Sequence, residues 1–392
     1  MTILEKIPFN SPIQSNTVSD YVAESLASGH LSGLGPFTKK CETWLDSHNG
    51  SKNLFVSSAT HALEMMAILS GISTDDEVIV PSFTFVSTAL AYYMRGARIV
   101  FADVDRTGNL DLNALEQVIT KKTKVVVPVH YAGNSCDLNC LLDMSKSYGF
   151  EIHEDAAQAI GSKFNGKALG TFGRFGCYSF HETKNISAGE GGALILNQTD
   201  IDGNIGEDTD FDRAHIAREK GTNRRQFELG SVEKYTWVGP GSSYLVSDLN
   251  AAYLYGQILD FESIQSRRLE IWNRYYMAFN GIAQPKGIDI IEGNDGSCGN
   301  AHLFALVFEK SKQRLQFIEA MAKFKIMTPF HYVPLHQSPM GAEIRSKSNH
   351  SNPLPVSEKL GSCLVRLPLY DGLIESKQNY IIEKVIETIQ SM

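Results

Sequence analysis

The chain has 392 residues, of which 43% are hydrophobic and 20% charged, which is typical of a globular protein with a large core and a second, smaller domain. Its net charge of -8 at neutral pH argues against a nucleic-acid or anionic-membrane surface, so any bound phosphate needs a local site. The six cysteines lack C-x-x-C spacing and the density of a disulfide scaffold, which favours reduced thiols.

The N-terminal stretch "MTILEKIPFNSPIQ" lacks the basic and apolar regions of a signal peptide. No run reaches the roughly 18 uninterrupted apolar residues of a membrane span. We therefore expect a soluble, cytoplasmic protein without a membrane partner.

Between about residues 53 and 195, short β-rich runs alternate with helical stretches. The β-rich runs are "NLFVSS", "DEVIVPS", "ARIVFADV", "KVVVPVHY", "FEIHEDAA" and "GCYSF", and helices are predicted from about Thr60 to Leu69 and through "STALAYYMR". This alternation is typical of α/β proteins with βαβ units and a mostly parallel sheet. Ligands of such sheets bind beyond the carboxyl ends of the strands.

The second half of the chain predicts a different organisation. Residues 198–235 are polar, first acidic and then basic, and we expect a mobile excursion over a site. From Ser247, a predicted N-cap, the apolar spacing predicts one long helix bent near Asp260. The remainder, with strands near "HLFALVF" and "KIMTPFHY" and helices near "QRLQFIEAMAKF" and "QNYIIEKVIETI", predicts a smaller α+β domain. We assign residues 1–255 to the large domain and residues 256–392 to the small one.

One lysine stands in an unusual setting. Lys184 lies in "SFHETKNISAGEGGALILN", among small polar residues and before a glycine run that returns to an apolar strand. Such a lysine can serve as an amine that forms a Schiff base with pyridoxal 5'-phosphate (PLP). An ordinary solvated lysine is the alternative.

Three further features match the needs of the same cofactor. Asp155 ends the strand "EIHED", where its carboxylate could pair with the pyridine nitrogen or could cap a following helix. The turn "SSATHA" opens a helix and offers the backbone N–H groups of Ser58, Ala59 and Thr60 to a phosphate, although a plain helix cap is as common. In "PSFTFVST", Phe83 and Phe85 could cover a flat ring or pack in the core.

The order of these features resembles a known family. The blocks "FNSPIQ", "GHLSGLGPFTKKCETWL", "VIVPSFTFVSTA", "VVVPVHYAG", "HEDAAQAIGSKFNGKALG", "CYSFHETKN", "GEGGALI", "FHYVPLH" and "VRLPLYDGL" are similar to those of the DegT/DnrJ/EryC1/StrS family of PLP-dependent sugar aminotransferases, nearly end to end. The resemblance implies a fold-type I aminotransferase and a homodimer with active sites at the subunit interface.

The resemblance also implies individual roles for the cofactor-binding residues. Lys184 would be the catalytic lysine that carries PLP, and Asp155 the partner of its pyridine nitrogen. The phosphate would lie on the turn at Ser58, Ala59 and Thr60 and on Ser179. Phe85 would cover the ring, with Gln158 beside its phenolic oxygen.

Within the family, "SFHETKN", "REKGTNRRQF", "KYTWVGPGSSYLVSDLNAAYL" and "FHYVPLH" are most similar to enzymes that convert dTDP-4-keto-6-deoxyglucose to dTDP-4-amino-4,6-dideoxygalactose, with L-glutamate as the usual amino donor. The residues expected to bind the nucleotide sugar are Arg218, Lys220, Arg224, Arg225, His331, Tyr332 and His336. For each of them a solvated surface position is the alternative. The gluco epimer and GDP-perosamine are alternative products.

One block departs from the family pattern. Many relatives carry G-x-N-Y-R-M-S where this chain has "GSSYLVSD". Ser243 therefore replaces the asparagine that reaches across the dimer interface to the cofactor phosphate, and Leu245 replaces the arginine. This departure puts the dimer contact and part of the substrate pocket in question.

Three other functions are alternatives to an aminotransferase. A sugar dehydratase of the same fold generally has histidine where Lys184 stands. A zinc hydrolase is excluded because "HETKN" has Asn185 where H-E-x-x-H needs its second histidine, so we expect no metal. A non-enzymatic α/β ligand-binding protein stays open at this point.

Overall fold

The computed structural model describes residues 5–12, 16–197, 210–348 and 350–392. Its strands are β1 (Lys52–Val56), β2 (Glu77–Pro81), β3 (Arg98–Ala102), β4 (Thr123–Val126), β5 (Glu151–Asp155), β6 (Lys163–Phe164), β7 (Lys167–Ala168), β8 (Phe175–Ser179), β9 (Gly192–Leu196), β10 (Asp289–Ile290), β11 (Ser297–Cys298), β12 (Phe304–Val307) and β13 (Leu364–Leu367). Its helices are α1 (Asn16–Ser28), α2 (Pro36–Asn49), α3 (Ala59–Leu69), α4 (Ser87–Tyr93), α5 (Leu112–Glu116), α6 (Leu138–Tyr148), α7 (Asp210–Arg218), α8 (Arg224–Glu228), α9 (Asp248–Ile258), α10 (Phe261–Ala283), α11 (Ser311–Lys323), α12 (Pro339–Ser346), α13 (Pro355–Cys363) and α14 (Glu375–Ser391).

The main sheet has seven strands in the order β1-β9-β8-β5-β4-β2-β3. Neighbouring strands are parallel except for β9, which runs antiparallel between β1 and β8. The predicted α/β fold with a mostly parallel sheet is thus confirmed. The parallel strands all end at one edge of the sheet, where the predicted site residues follow β1, β2, β5 and β8.

Helices cover both faces of this sheet because its strands are apolar on both sides, as buried parallel strands require. In β2, Ile79 belongs to a core cluster with residues of α2, α6 and α9, whereas Val78 and Val80 belong to a second cluster with residues of α3, α4 and α7. Alternate residues of one strand therefore serve two separate cores.

The C-terminal region has its own sheet, in the order β10-β12-β13, and its own core. Phe279 of α10, Phe304 of β12 and Ile381 of α14 are fully buried in that core. The chain enters the region through α9 and α10, which are separated at Leu259 and Asp260, close to the predicted bend. Ser247 caps α9 as expected, accepting a hydrogen bond from the backbone of Asn250. The predicted division after residue 255 stays a prediction.

Two expectations differ from the structure. Of the predicted excursion over residues 198–235, residues 198–209 lie outside the described residues, and the rest contains α7, which buries Ala214 and Ala217 against the main sheet's helices. The predicted strand near "KIMTPFHY" is wrong, because only Ile326 pairs there, in a single bridge to Ile7. Pro329 lacks the backbone N–H that a continuing ladder would need.

No helix in the described part of the chain is long and apolar enough to cross a membrane.

Candidate active site

A cleft of about 510 Å³ opens at the carboxyl edge of the main sheet, between the sheet and the C-terminal region. The predicted residues that line it are Ser58, Ala59, Thr60, Phe85, Asp155, Gln158, Ser179, Lys184, His331 and Tyr332. These residues come from several strand ends and from the C-terminal region, and the fold brings them together in one cleft.

Lys184 lies in the turn between β8 and β9, and its side chain is half-buried in the cleft. Burial lowers the pKa of its amine from 10.5 to about 8, with Asp155 opposing this shift and Arg366 adding to it. At pH 7 about one such amine in ten is neutral, far more than for an exposed lysine. Lys184 is therefore placed and tuned to act as a nucleophile or a base.

The glycine run after Lys184 allows a close approach of two backbone segments. A Cβ atom on Gly192 would lie 2.4 Å from the backbone nitrogen of Ala59, which no side chain can occupy. The backbone at the start of β9 therefore packs directly against the turn at residues 58–60. This contact requires glycine at position 192.

Asp155 is buried at the end of β5 and is held at both carboxylate oxygens. Its Oδ2 accepts a 2.7 Å hydrogen bond from Oγ1 of Thr88, and its Oδ1 accepts one from the backbone N–H of Ala157 at 3.2 Å. Turns rather than a helix follow Asp155, so a helix-capping role is excluded. A fixed carboxylate at the floor of the cleft suits a protonated ring nitrogen.

The turn at residues 58–60 starts α3 and carries free donors. The Ser58 hydroxyl caps the helix by accepting from the backbone of His61, and Thr60 Oγ1 lies 2.8 Å from Oγ of Ser87. The N–H groups of the first helical turn have no partner within the helix and lie at the positive end of its dipole. Together with Ser179 on β8, this turn forms an anion site suited to a phosphate.

Two side chains flank the space between these groups. Phe85 leaves 57% of its surface exposed at the cleft, so a ring face is available to a flat ligand. Gln158 is fixed because its Oε1 accepts from the backbone of Ala132 at 2.8 Å and its Nε2 donates to the Tyr332 hydroxyl at 2.9 Å. The second hydrogen of that amide is available to a ligand.

His331 and Tyr332 form a stacked pair at the cleft, with ring centroids 3.6 Å apart. Nδ1 of His331 lies 2.8 Å from the hydroxyl of Tyr131. Burial, with Arg366 next in importance, lowers the pKa of His331 well below its usual value. The imidazole is therefore neutral at physiological pH and can exchange hydrogen bonds with a hydroxyl group.

Two of the predicted substrate-binding residues are corrected by the structure. Arg218 is fully buried outside the cleft, where its Nη1 donates to Oε1 of Glu42 at 2.6 Å. His336 is buried between Ser82, 2.7 Å from its Nδ1, and Glu358, 3.1 Å from its Nε2. Both side chains are occupied by internal partners, so they do not face a ligand in this cleft.

The remaining predicted residues lie on the surface, outside the cleft of this chain. Lys220 is exposed, and Arg224 forms an ion pair with Glu228 at 2.9 Å. Arg225 forms one with Asp212 at 2.6 Å. Ser243 is exposed and pairs through its backbone with residue 219.

Some cleft residues were not predicted. His302 lines the cleft, and its Nδ1 donates to the amide oxygen of Asn185 at 2.9 Å. Arg366 of β13 and Phe9 of the N-terminal segment also line the cleft. A charged residue inside the apolar run "LVRLPL" is a signal that points to Arg366, whereas "NAHLF" and "IPFN" carry none.

The described residues contain no cluster of three or more His, Cys, Asp or Glu side chains placed to hold a metal ion. An amine of lowered pKa, a fixed carboxylate, a helix-opening turn suited to a phosphate and an open aromatic face fit PLP. Each of the four groups faces the same cleft.

Comparisons with known proteins agree with this geometry. The sequence profile of the DegT/DnrJ/EryC1/StrS aminotransferase family matches residues 12–386. The chain is 31% identical to the spore coat polysaccharide biosynthesis protein SpsC of Bacillus subtilis, over 98% of this chain and 97% of that protein. It is 28% identical to the GDP-perosamine synthase of Escherichia coli O157:H7, over 98% of this chain and 99% of that protein.

Solved structures are similar over nearly the whole chain. The PLP form of Spr1654 from Streptococcus pneumoniae is 27% identical, with a TM-score of 0.87 and 99% of each chain covered. The aminotransferase TlmJ from Streptoalloteichus hindustanus is 26% identical, with a TM-score of 0.87, covering 99% of this chain and all of that one. The chain belongs to the DegT/DnrJ/EryC1/StrS aminotransferase family, has the fold of PLP-dependent aminotransferases, and uses PLP as its cofactor.

Proposed function

We propose that this sugar aminotransferase moves an amino group from L-glutamate to C4 of dTDP-4-keto-6-deoxyglucose and so produces dTDP-4-amino-4,6-dideoxygalactose. The observation that carries the transfer chemistry is that Lys184 and Asp155 line one cleft with the turn at residues 58–60. The choice of sugar rests on the resemblance of the blocks around Lys184, Arg224 and His331.

When bound, PLP supplies an electron sink for carbanion character at the carbon that loses or gains a proton. Asp155 would hold the pyridine nitrogen protonated, because Thr88 and Ala157 fix the carboxylate in place. The phosphate would be held by the turn at residues 58–60 and by Ser179.

Nζ of Lys184 would move the proton in both halves of the reaction. With a pKa near 8 it can accept the proton from the α-carbon of the amino donor and remain a usable acid. In the second half the same nitrogen would deliver a proton to C4 of the sugar. Phe85 and Tyr332, which line the same cleft, would limit access of water and orient the sugar ring.

The assembly we propose is a homodimer with active sites at the subunit interface. Several apolar side chains beside the cleft are exposed in the single chain and would be buried in such a dimer: Phe85, Val86, Leu90, Tyr93 and Met94. Lys220, Arg224 and Ser243 keep their proposed roles toward the substrate or the cofactor phosphate only in such an assembly, since they lie outside the cleft of their own chain.

One second candidate has a specific observation in its favour. The similarity to a GDP-perosamine synthase over 98% of the chain supports a GDP-linked 4-keto sugar as the acceptor. The gluco epimer of the dTDP product would form if the same proton were delivered to the opposite face of the sugar's C4. A protein that only binds a ligand would not need a lysine whose pKa is lowered as that of Lys184 is.

The deciding experiment incubates the PLP-loaded protein with dTDP-4-keto-6-deoxyglucose and L-glutamate and assigns the C4 configuration of the product by NMR. We expect the axial amine of the galacto product. Turnover of the GDP-linked keto sugar alone would move the assignment to perosamine. A protein that binds no PLP would contradict enzymatic function altogether.

A further inference from the structure

A fully buried imidazole lies next to the floor of the cleft. His153 stands in the central strand β5, two residues before Asp155, and none of its surface is exposed. Its Nδ1 atom lies 2.8 Å from the hydroxyl of Tyr92, which is also fully buried, and the ring of Phe175 packs against it with centroids 5.2 Å apart. Central strands of parallel sheets are normally apolar, so this histidine needs an explanation.

The hydrogen bonds of His153 fix its tautomer. Its Nε2 atom lies 3.1 Å from Oε2 of Glu151, which also accepts a 2.6 Å bond from the hydroxyl of Ser70. Burial opposes the charge on this carboxyl group, but the bonds from His153 and Ser70 outweigh it and lower the pKa of Glu151 to about 2. Burial lowers the pKa of His153 as well, so its ring is neutral. Nε2 therefore donates to Glu151, and Nδ1 accepts from the hydroxyl of Tyr92.

The carboxylate that orients the imidazole is itself anchored. Oε1 of Glu151 accepts a 2.6 Å hydrogen bond from Nη1 of Arg174. Arg174 also binds both carboxylate oxygens of Asp210, at 2.9 Å each, where α7 begins. A buried network in which each member has its partner is rigid, so the acceptor that His153 offers to Tyr92 has a fixed position.

Two parallel contacts join α4 to β5. Thr88 donates to Asp155, and Tyr92 donates to His153. The two helix residues are four apart, which is a rise of about 6 Å, and the two strand residues are two apart, which spans about 6.6 Å. Residues at these spacings share one face of a helix and one face of a strand. The two contacts are therefore in register, and a shift of α4 along β5 would break both.

We propose that His153 and Tyr92 are positioning residues that set the register of α4 on β5 and thereby keep Thr88 on the carboxylate of Asp155. The inference rests on the proposed pairing of Asp155 with the ring nitrogen of PLP. Apolar side chains would fill the same space, but their contacts have no direction and allow sliding. A hydrogen bond to a fixed imidazole is directional and defines one position of the helix.

The experiment compares PLP with its deaza analogue, in which a C–H group replaces the ring nitrogen. Both compounds carry an aldehyde for Lys184 and a phosphate for the turn at residues 58–60, but only PLP offers a ring nitrogen to Asp155. Fluorescence titration of the cofactor-free protein gives the two dissociation constants. Their ratio reports the contact at the ring nitrogen separately from the rest of the cofactor site.

Two variants remove the contact between the helix and the strand, and a third is the matched control. Tyr92→Phe removes the donor, and His153→Leu removes the acceptor. Tyr275→Phe is the control, because this tyrosine is also fully buried and also donates one hydrogen bond, to the backbone oxygen of Pro368 at 2.9 Å. It lies in the core of the C-terminal region, outside the cleft.

We expect the wild type to bind PLP about ten- to a hundred-fold more tightly than the analogue, as for one hydrogen bond to a charged group. Tyr92→Phe and His153→Leu should each weaken PLP binding by about three- to tenfold and binding of the analogue by less than about twofold. Tyr275→Phe should match the wild type for both compounds. Unchanged PLP binding in Tyr92→Phe would overturn the inference. An equal loss for both compounds would also overturn it, as the network would then be purely structural.

A double variant tests whether Tyr92 acts through Thr88. If it does, Tyr92→Phe should weaken PLP binding by less than about twofold when Thr88→Val is already present, because the bond that it positions is gone. Losses that multiply in the double variant would contradict the positioning role, since the two side chains would then act independently.

Failure of the proposed role of Asp155 would look different. Wild-type protein would then bind PLP and the analogue equally well, and Asp155→Asn would do the same. A preference for PLP that Asp155→Asn loses but that Tyr92→Phe and His153→Leu keep would reject only the positioning role. Thermal unfolding of each variant shows whether it is folded under the conditions of the titration.

Discussion

The hydroxyl of Thr88 donates a 2.7 Å hydrogen bond to Oδ2 of Asp155, so a helix residue behind the sheet edge fixes the carboxylate on the cleft floor. Thr88→Val should leave that oxygen without its donor at nearly unchanged side-chain volume. We expect the dissociation constant of PLP to rise about tenfold, as for the loss of one buried hydrogen bond to a charged group. Fluorescence titration of the cofactor-free protein measures this, and Thr88→Ser should restore tight binding. Unchanged binding in Thr88→Val would contradict the positioning role.

Lys184→Ala should abolish transamination while the protein stays folded, because the half-buried amine forms no hydrogen bond or ion pair within the described residues, and Asp155 keeps its own donors, Thr88 and Ala157. Turnover with glutamate, circular dichroism and thermal unfolding test both halves of this expectation. Lys184→Arg is the charge-conserving control and should be equally inactive, since a guanidinium does not deprotonate. Near-wild-type turnover in either variant would refute the role of Nζ.

The pKa of about 8 for Lys184 gives the cofactor-free protein a characteristic pH profile. Only the neutral amine is nucleophilic, so the rate of PLP attachment should rise with pH and reach half its maximum near 8 rather than near 10.5. Stopped-flow absorbance measures the rate. Because the folded-state pKa lies below the unfolded one, the unfolded chain binds more protons between these values, and stability should rise with pH over that window. An attachment rate that is half-maximal near 10.5 would contradict the desolvated setting.

Gly192→Ala should push the turn at residues 58–60 away from β9, because a Cβ would lie 2.4 Å from the Ala59 nitrogen. We expect a loss of roughly 1–3 kcal/mol in the free energy of unfolding and weaker binding of inorganic phosphate. Gly281→Ala is the matched control: it lies inside α10 with no atom within 4 Å of its added Cβ, and should be neutral or stabilising by about 1 kcal/mol. Equal stability of the two variants would count against the close approach.

Arg218→Gln should destabilise the fold by about 3–5 kcal/mol, since it leaves Glu42 without its buried partner. Arg224→Gln, which breaks an exposed pair with Glu228, should change stability by less than about 1 kcal/mol. Denaturant unfolding gives both values. A folded Arg218→Gln protein of normal stability with weakened nucleotide binding would return Arg218 to its predicted role.

The part of the site that follows strand ends could be predicted from local sequence. Asp155 ends an apolar run and the turn at Ser58 follows one closely, whereas Lys184 lies five residues after the end of β8. Parallel strands place such positions at one edge of the sheet. The α/β pattern was equally readable because each strand is short, apolar and bounded by turn residues.

The errors concern side chains whose partners are distant in sequence. Arg218 was expected at the substrate, but its acceptor Glu42 lies 176 residues away and no local pattern reveals it. His336 is held in the same way by Ser82 and Glu358. The segment before His331 was predicted as a strand from its apolar content, yet β-structure needs a neighbour, and only Ile7 supplies one.

The antiparallel strand β9 sets the order in which the site can assemble. Its pairing joins β1, which leads into the turn at residues 58–60, to β8, which leads into the turn that carries Lys184. Until residues 192–196 insert between these two strands, the two halves of the cleft are unconnected in the sheet. The pairing of β1 with β9 joins segments that are far apart in sequence, and such pairings form slowly. Cofactor binding should therefore be a late event during synthesis of the chain. A nascent polypeptide that lacks residues 192–196 should stay colourless, whatever share of its helices has formed.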